Sequence, residues 1–338
     1  MSRRVRRRQR QQPRTLQVFL AVVLVLLTVC VLVKAFFLKA PEQKAAELPA
    51  QPAASDTDDS QQSREEQAAQ EALRSHLERK GGFYTILLSG LDDDNGGSDT
   101  NILVAVDTVN GYVYGVSIPR DSKAIIDGKA RKINYAYNKG GTELLADTVS
   151  EQLGIPVDYT VSVNLKGFTA LVDAIGGVDF DVPINMDYDD PIQNLSIHFK
   201  KGVQHLSGAD ALRVVRFRHN NDGSGYGSED LGRMATQQKF LKAVAKKMLS
   251  AGNILTKIDD YAKIFNQYVD TNLTVGNLAW LGTEVLKMGV DKIDFSTLPN
   301  AWKYPYIYLD PTETLTLVNT YLNPYVEDRT AEDLHLPS

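Results

Sequence analysis

Tyr84-Thr-Ile-Leu-Leu-Ser89, Asn101-Ile-Leu-Val-Ala-Val-Asp107 and Tyr112-Val-Tyr-Gly-Val-Ser-Ile118 decide how this chain folds. The first is a continuous apolar run, the pattern of a strand buried on both faces. The other two flank Val109-Asn110-Gly111, and Asn-Gly between such runs signals a hairpin. Working outward, 144–153 reads as a helix ended by Gly154 and Pro156, 159–163 as a strand, and 168–175 as a helix stopped by Gly176-Gly177. Residues 178–182 alternate as a strand, 231–249 form a long helix, and 255–270 and 275–289 form two more. A strand at 292–297 and a helix at 311–322 close the pattern. The expected fold class is α/β, a mixed β-sheet covered by helices on both faces.

Upstream of this region the chain changes character. Of its 37 basic residues, seven arginines fall in the first 15 positions with no acid among them. The remainder carries 30 basic and 42 acidic side chains, a net −12, which repels the phosphate backbone of nucleic acids. Residues 16–38 are a 23-residue apolar run broken only by Gln17, Thr28 and Lys34. That length spans a bilayer, and the arginine cluster keeps the N-terminus cytoplasmic. The alternative, a cleaved signal peptide, calls for a shorter apolar run and a small-residue cleavage site. The reading is therefore residues 1–15 as a cytoplasmic basic tail, 16–38 as a single transmembrane helix, and the rest outside the cell membrane. Residues 39–80 read as a stalk, polar and flexible over 40–61, with a short helix over 63–80. Residues 81–325 are the globular domain and 326–338 a C-terminal tail. The single cysteine, Cys30, lies in the apolar run, so the exposed part folds without disulfides.

Four polar constellations interrupt the scaffold. In Ala211-Leu-Arg-Val-Val-Arg-Phe-Arg-His219, an extended strand sets Arg216 and Arg218 side by side on one face. Two adjacent guanidiniums match a phosphate or carboxylate; the alternative is a solvated strand face. Gly90-Leu-Asp-Asp-Asp-Asn-Gly-Gly-Ser-Asp-Thr100 places Asp92 and Asp99 at the two ends of an acidic loop. Oxygen ligands of this kind suit Mg²⁺ or Mn²⁺; the alternative is an acidic surface turn. Ser117-Ile-Pro-Arg-Asp121 sets Arg120 at a strand exit, where ligands of open α/β sheets gather, unless it only pairs with Asp121. Lys132 and Asn134 share one face if Arg131-Lys-Ile-Asn-Tyr-Ala-Tyr137 is extended. After the arginine pair, Asp230 sits at the N-cap of the long helix, with Arg233 and Gln237 four apart on one helical face. There is no Gly-x-Ser-x-Gly, no P-loop and no His-x-x-x-His spacing among the five histidines. Arginines, a lysine and carboxylates are the equipment of phosphoryl or pyrophosphoryl chemistry, which relies on positioning and charge neutralisation.

The series Leu88-Ser-Gly-Leu-Asp92, Ser98-Asp-Thr100, Ser117-Ile-Pro-Arg-Asp121, Lys132-Ile-Asn-Tyr-Ala-Tyr137, Leu206-Ser-Gly-Ala-Asp-Ala-Leu212, Arg216-Phe-Arg-His219 and Asp230-Leu-Gly-Arg233 resembles the LytR-CpsA-Psr family. The resemblance is most specific over 83–249. It implies a membrane-anchored enzyme of a Gram-positive type of envelope. Such an enzyme moves a glycopolymer, teichoic acid or capsular polysaccharide, from an undecaprenyl pyrophosphate carrier to peptidoglycan through a phosphodiester. Carried over by position, Asp92 and Asp99 match the Mg²⁺ carboxylates. Arg120, Arg216 and Arg218 match the pyrophosphate-gripping arginines, and Lys132 matches a basic residue preceding Asn134. Asp230 and Arg233 match an acidic and basic pair, with Asp230 a candidate base or orienting group. The sequence departs from the family pattern at Gly97 and Thr236, where arginine is frequent. A lipid pyrophosphatase, an envelope-linked transcriptional attenuator and a pure scaffold are the alternatives. The attenuator fits poorly, because the first 15 residues are too few for a DNA-binding fold.

Overall fold

The computed structural model describes residues 39–44, 76–91, 97–192, 195–226, 236, 239–240, 242–244, 246–247 and 258–338. Its centre is a six-stranded mixed sheet. The strands are β1 (Phe83–Leu91), β2 (Ser98–Asp107), β3 (Tyr112–Ile118), β6 (Tyr159–Asn164), β11 (Val269–Thr271) and β12 (Ile293–Thr297), in the order β11-β6-β1-β2-β3-β12. β1 is parallel to β6 and antiparallel to β2, and β3 is parallel to β12. The expected hairpin joins β2 to β3. The Asp107 carboxylate accepts from the Val109 and Asn110 backbone N–H groups and the Asn110 side chain, and Gly111 takes φ +72°.

Strand alternation sends Ile86, Leu88, Ile102, Val104, Val161 and Val163 to one face and Phe83, Leu87, Leu103, Ala105, Val116 and Ile118 to the other. On the second face lies α1 (Asn134–Leu153), with Leu145, Val149 and Leu153 against the sheet beside Val318 and Leu322. On the first lie α2 (Leu165–Ala174), α3 (Gly208–Arg216), α4 (Ile258–Tyr268) and α5 (Val275–Met288), and Phe240 and Val244 join them. Helices thus cover both faces. Each buried Leu, Ile or Phe of this sandwich stabilises it by roughly 1.5–3 kcal/mol. The last helix, α6 (Pro311–Leu317), continues as a wider turn over Val318–Leu322. Four two-stranded ribbons decorate this core. They are β4 (Lys123–Ile126) with β5 (Lys129–Lys132), β7 (Val178–Val182) with β10 (Gly202–Leu206), β8 (Met186–Asp190) with β9 (Leu195–Phe199), and β13 (Asn300–Lys303) with β14 (Tyr306–Leu309).

Several expectations change. The stretch 211–216 is the body of α3, not a strand. Ser207 Oγ accepts from Asp210 N–H at 3.2 Å, and Ala211, Val214 and Val215 form a buried stripe at helical spacing. Cap and stripe together overrode the strand preference of Val214-Val215. Residues 131–137 are not one extended segment either. Lys132 ends β5 and Asn134 opens α1, which begins before 144 because its axis breaks at Gly140 and Gly141 rather than ending there. The 255–270 segment ends in the edge strand β11. Of the 231–249 helix, 236, 239–240, 242–244 and 246–247 are described and helical.

The start of the stalk is docked. Gln43 donates to Lys80 O and Phe83 O, Tyr159 Oη donates to Glu42 O, and Asn277 Nδ2 donates to Lys39 O. Arg79 bonds both Lys44 O and the buried Asp158 carboxylate, so residues 44 and 79 meet. Of the helix expected over 63–80, residues 63–75 lie outside the described residues, His76 is helical, and Arg79 already bridges Tyr325. Beyond Tyr325 the tail folds back. Arg329 covers the Tyr325 ring at 4.2 Å, and His335 N–H donates to Gln152 O. The apolar run 16–38 lies outside the described residues, among which no helix is long and apolar enough to cross a membrane.

Candidate active site

Because β1, β3 and β6 run the same way, their carboxyl ends share one edge of the sheet, and β2 starts from it. Leu91, Ser98, Ile118 and Asn164 mark that edge. Strand ends of this kind are where open α/β sheets receive ligands. Gly90 pairs with Thr100 and Leu91 with Ser98, so Asp99 is the extra residue of a β-bulge. Bulges re-aim side chains and recur beside active sites. Asp99 is described by its backbone alone, and Asp92 lies outside the described residues.

A polar row crosses the sheet just inside this edge. Ser162 pairs with Ser89, and Ser89 with Asn101. All three are 0–1% exposed. Ser89 Oγ lies 3.5 Å from Asn101 Oδ1, while Ser162 Oγ and Asn101 Nδ2 find no hydrogen-bond partner among the described residues. Buried polar atoms left so cost about 1–3 kcal/mol each unless something completes them. Sequence reading passed over this row. The signal was there: Ser89 and Asn101 are the polar residues terminating otherwise apolar strands.

Arg120 follows Pro119 at the exit of β3 and is 8% exposed. Its Nε lies 3.8 Å from Asp121 Oδ1, and the same oxygen lies 3.1 Å from Lys132 Nζ. The Arg120–Asp121 ion pair is therefore real, and it also gathers Lys132. Asn134 N–H donates to Arg120 O at 3.2 Å, which ties the first residue of α1 to the same point. Thus Arg120, Lys132 and Asn134 come together at the edge that carries Asp99, by a hairpin-to-helix route rather than by strand alternation.

Arg216 and Arg218 reach their positions differently from the strand-face expectation. Arg216 is the last residue of α3, and Phe217, fully buried and extended at φ −63° and ψ 138°, turns the chain out of the helix before Arg218. Arg216 Nε is buried and donates no hydrogen bond among the described residues. Burial, then the Asp190 carboxylate, raise the Tyr188 hydroxyl pKa, while the Arg218 cation works against them. His219 meets the Tyr188 ring edge-on at 5.6 Å. Because α3 and α1 pack on opposite faces, the two cationic groups come from opposite sides of the sheet. Asp230, Arg233 and Gln237 lie outside the described residues.

Gly97 takes φ +148°, and a Cβ there would sit 3.0 Å from Asn138 Oδ1. Asn138 of α1 thus fills the space that a side chain at 97 would need. Among the described residues no group of three His, Cys, Asp or Glu side chains gathers as a metal site. The donor chemistry of the acidic loop, carboxylate oxygens at a bulged strand start, is that of a hard cation such as Mg²⁺ or Mn²⁺.

The LytR_cpsA_psr family model matches residues 49–322. The chain belongs to the LytR-CpsA-Psr family. Among relatives of this LytR-CpsA-Psr protein, the polyisoprenyl-teichoic acid–peptidoglycan teichoic acid transferase TagV of Bacillus subtilis is 37% identical over 202 residues, 57% of this chain and 50% of TagV. The transferase TagU of Bacillus cereus is 37% identical over 195 residues, 56% of this chain and 60% of TagU. The chain therefore spans between half and three fifths of the curated relatives it matches. The crystal structure of B. subtilis TagV aligns with a TM-score of 0.58 at 31% identity, covering 71% of this chain and 96% of that one. EF0465 of Enterococcus faecalis, described as a transcriptional regulator, aligns with a TM-score of 0.59 at 26% identity, covering 74% and 91%. TagT bound to LI-WTA aligns at 0.54 and 25% identity, covering 70% and 88%.

Proposed function

We propose that this protein is a membrane-anchored phosphotransferase that moves a glycopolymer, of the teichoic acid or capsular polysaccharide type, from a polyprenyl pyrophosphate carrier to peptidoglycan. The observation that carries the reading is Arg120, a permanent cation 8% exposed at the carboxyl edge of the sheet, held with Lys132 by one Asp121 oxygen. Cations fixed at such an edge suit a pyrophosphate. The names of TagV and TagU support the substrate class.

In this reading Arg120, Lys132, Arg216 and Arg218 bind the pyrophosphate, and Asn134 orients it. Arg233 and Gln237 extend the grip along their helix. An acceptor hydroxyl attacks the phosphorus that bears the glycan. The new O–P bond forms, the bridging P–O bond breaks, and the lipid leaves as its monophosphate. Asp230 takes or orients the hydroxyl proton. Asp92 and Asp99 would hold Mg²⁺, or Mn²⁺ in its place, which supplies charge neutralisation at the phosphate oxygens when bound. The arginines spread the same stabilisation over the transition state. The polar N-terminal arginines stay cytoplasmic, the 16–38 run anchors the chain in the cell membrane, and the domain faces outward.

The test supplies the full-length chain with a lipid-pyrophosphate sugar and peptidoglycan oligomers. A phosphodiester-linked product is expected. A product that appears only as free phosphorylated sugar, with or without acceptor, would identify a pyrophosphatase instead. Full transfer by Arg218→Ala would sink the assignment of the site.

A further inference from the structure

Beyond β12 the chain doubles back as the β13–β14 ribbon, and Trp302, Tyr304, Tyr306 and Tyr308 place an aromatic ring at every second position of it. Ile307 pins the ribbon. It is 2% exposed, it bridges Ser122, and its N–H donates to Asp121 O at 2.9 Å. Tyr306 Oη donates to Ala130 O at 3.1 Å. The ribbon is thus fastened to the segment that carries Arg120, Asp121 and, through β5, Lys132. Yet Trp302 is 55% and Tyr304 75% exposed, and every residue of β13 faces water. Lys123 and Lys303 lie over the Tyr308 ring at 4.9 and 5.6 Å. Aromatic rings contribute most when covered, so two held in water beside a candidate site point to a ligand that covers them.

A bilayer interface and the C–H faces of sugar rings both take exposed Trp, Tyr and Lys. The position of the ribbon decides between them. The 16–38 run ends at Leu38, and the next residue is already fixed, with Lys39 N–H donating to Gly276 O at 3.5 Å and Asn277 Nδ2 donating to Lys39 O at 3.1 Å. Gly276 and Asn277 open α5, which follows the edge strand β11; the ribbon follows β12, the opposite edge strand. Five strand spacings, about 24 Å, separate these edges. Gln43 and Glu42 also sit where β1 and β6 begin, whereas the ribbon leaves from the end of β12, which runs parallel to β3. The ribbon therefore lies diagonally across the sheet from the point where the 16–38 run joins the domain.

We infer that the β13–β14 ribbon is the docking surface for the acceptor glycan of peptidoglycan, with Trp302 and Tyr304 stacking on its sugar rings. Lys303 suits the carboxylates that this glycan carries, whereas Lys123 already donates to Ser338 O. The acceptor, a polymer outside the membrane, comes to the side of the domain away from the anchor. The identity of the ligand rests on the transferase reading and on 16–38 lying in the bilayer.

The probe is peptidoglycan oligosaccharide free of lipid, titrated into the full-length chain in detergent and followed by tryptophan emission and calorimetry. Trp302→Ala with Tyr304→Ala is expected to weaken binding by about tenfold or more, as loss of two aromatic contacts implies. Trp302→Phe should keep most of the affinity, and Arg216→Ala should bind glycan as the unaltered chain does. Unchanged thermal unfolding of the variants would show that the fold is intact. Glycan binding by the double variant equal to that of the unaltered chain overturns the inference. So does loss of partition into phosphatidylglycerol vesicles in that variant with glycan binding untouched. Glycan binding through Trp302 without any transfer product would retain the docking surface and remove the transferase reading. Transfer with an unaltered acceptor KM in the double variant would do the reverse.

Discussion

Lys132 Nζ lies 3.1 Å from Asp121 Oδ1, the oxygen that also faces Arg120 Nε at 3.8 Å. One carboxylate thus sets the spacing of two cations that arrive from different elements, β3 and β5. Asp121→Asn keeps the shape and removes the charge that gathers them. The expected result is a stability loss of about 1–3 kcal/mol, with a larger effect on KM for the pyrophosphate substrate than on kcat. Denaturant unfolding and steady-state kinetics check the two halves.

Arg216 ends a helix and Arg218 follows a buried phenylalanine, so neither can adjust its backbone to recover a lost contact. Arg216→Ala and Arg218→Ala should each lower transfer on the order of 100-fold or more. Lysine should not restore it, because a point cation lacks the planar fork of donors. Single-turnover transfer rates provide the measurement.

Asp158 is the junction of three segments. Its fully buried carboxylate takes hydrogen bonds from Arg79, the Thr85 N–H and the Lys44 N–H. Asp158→Ala strands a cation that is itself nearly buried and removes the acceptor of the Lys44 N–H. A loss of about 3–5 kcal/mol is expected in chemical denaturation, together with faster amide exchange at Lys44.

Gly97→Arg would restore the residue frequent at this position in the family, but φ +148° and the 3.0 Å approach of Asn138 Oδ1 oppose any side chain there. Destabilisation of about 1–3 kcal/mol is expected, partly relieved by Asn138→Ala. Thermal unfolding of the single and double variants measures it.

His198 on β9 faces Asp187 at 2.7 Å and Asp189 at 3.3 Å across the β8–β9 ribbon. The hydrogen bond it donates to Asp187, aided by the charge of Asp189 and opposed by desolvation, raises its pKa above the ordinary 6.5. Its contribution to ribbon stability is present in full below 6.5 and is lost as pH rises through the higher folded value. An NMR titration of the His198 ring should show a midpoint above 6.5, moved down by Asp187→Asn.

The core strands were legible because their signals are local. Apolar runs at 84–89 and 101–107 and the Asn110-Gly111 turn need no distant partner to be read. The helix over 208–216 was not. Val214-Val215 favours a strand locally, and only burial of Ala211, Val214 and Val215 against the sheet face makes the helix the better solution. The same holds for 39–44, whose composition reads as a stalk although the Gln43 side chain is bonded to Lys80 O and Phe83 O and Glu42 O accepts from Tyr159.

By itself the sequence determined the α/β class and the family, and it supplied Asp99, Arg120, Asn134 and Arg216 as candidates, because residue type and spacing are enough for these. Tertiary structure alone decided how those residues meet. The parallel register of β1, β3 and β6 brings Asp99 and Arg120 to one edge, and packing of α1 and α3 on opposite faces delivers Asn134 and Arg216 from two sides. Tertiary structure also placed Ile307 of the β13–β14 ribbon beside Asp121, and the ribbon across the sheet from Lys39. Such juxtapositions depend on contacts between residues far apart in the chain, and no local pattern encodes them.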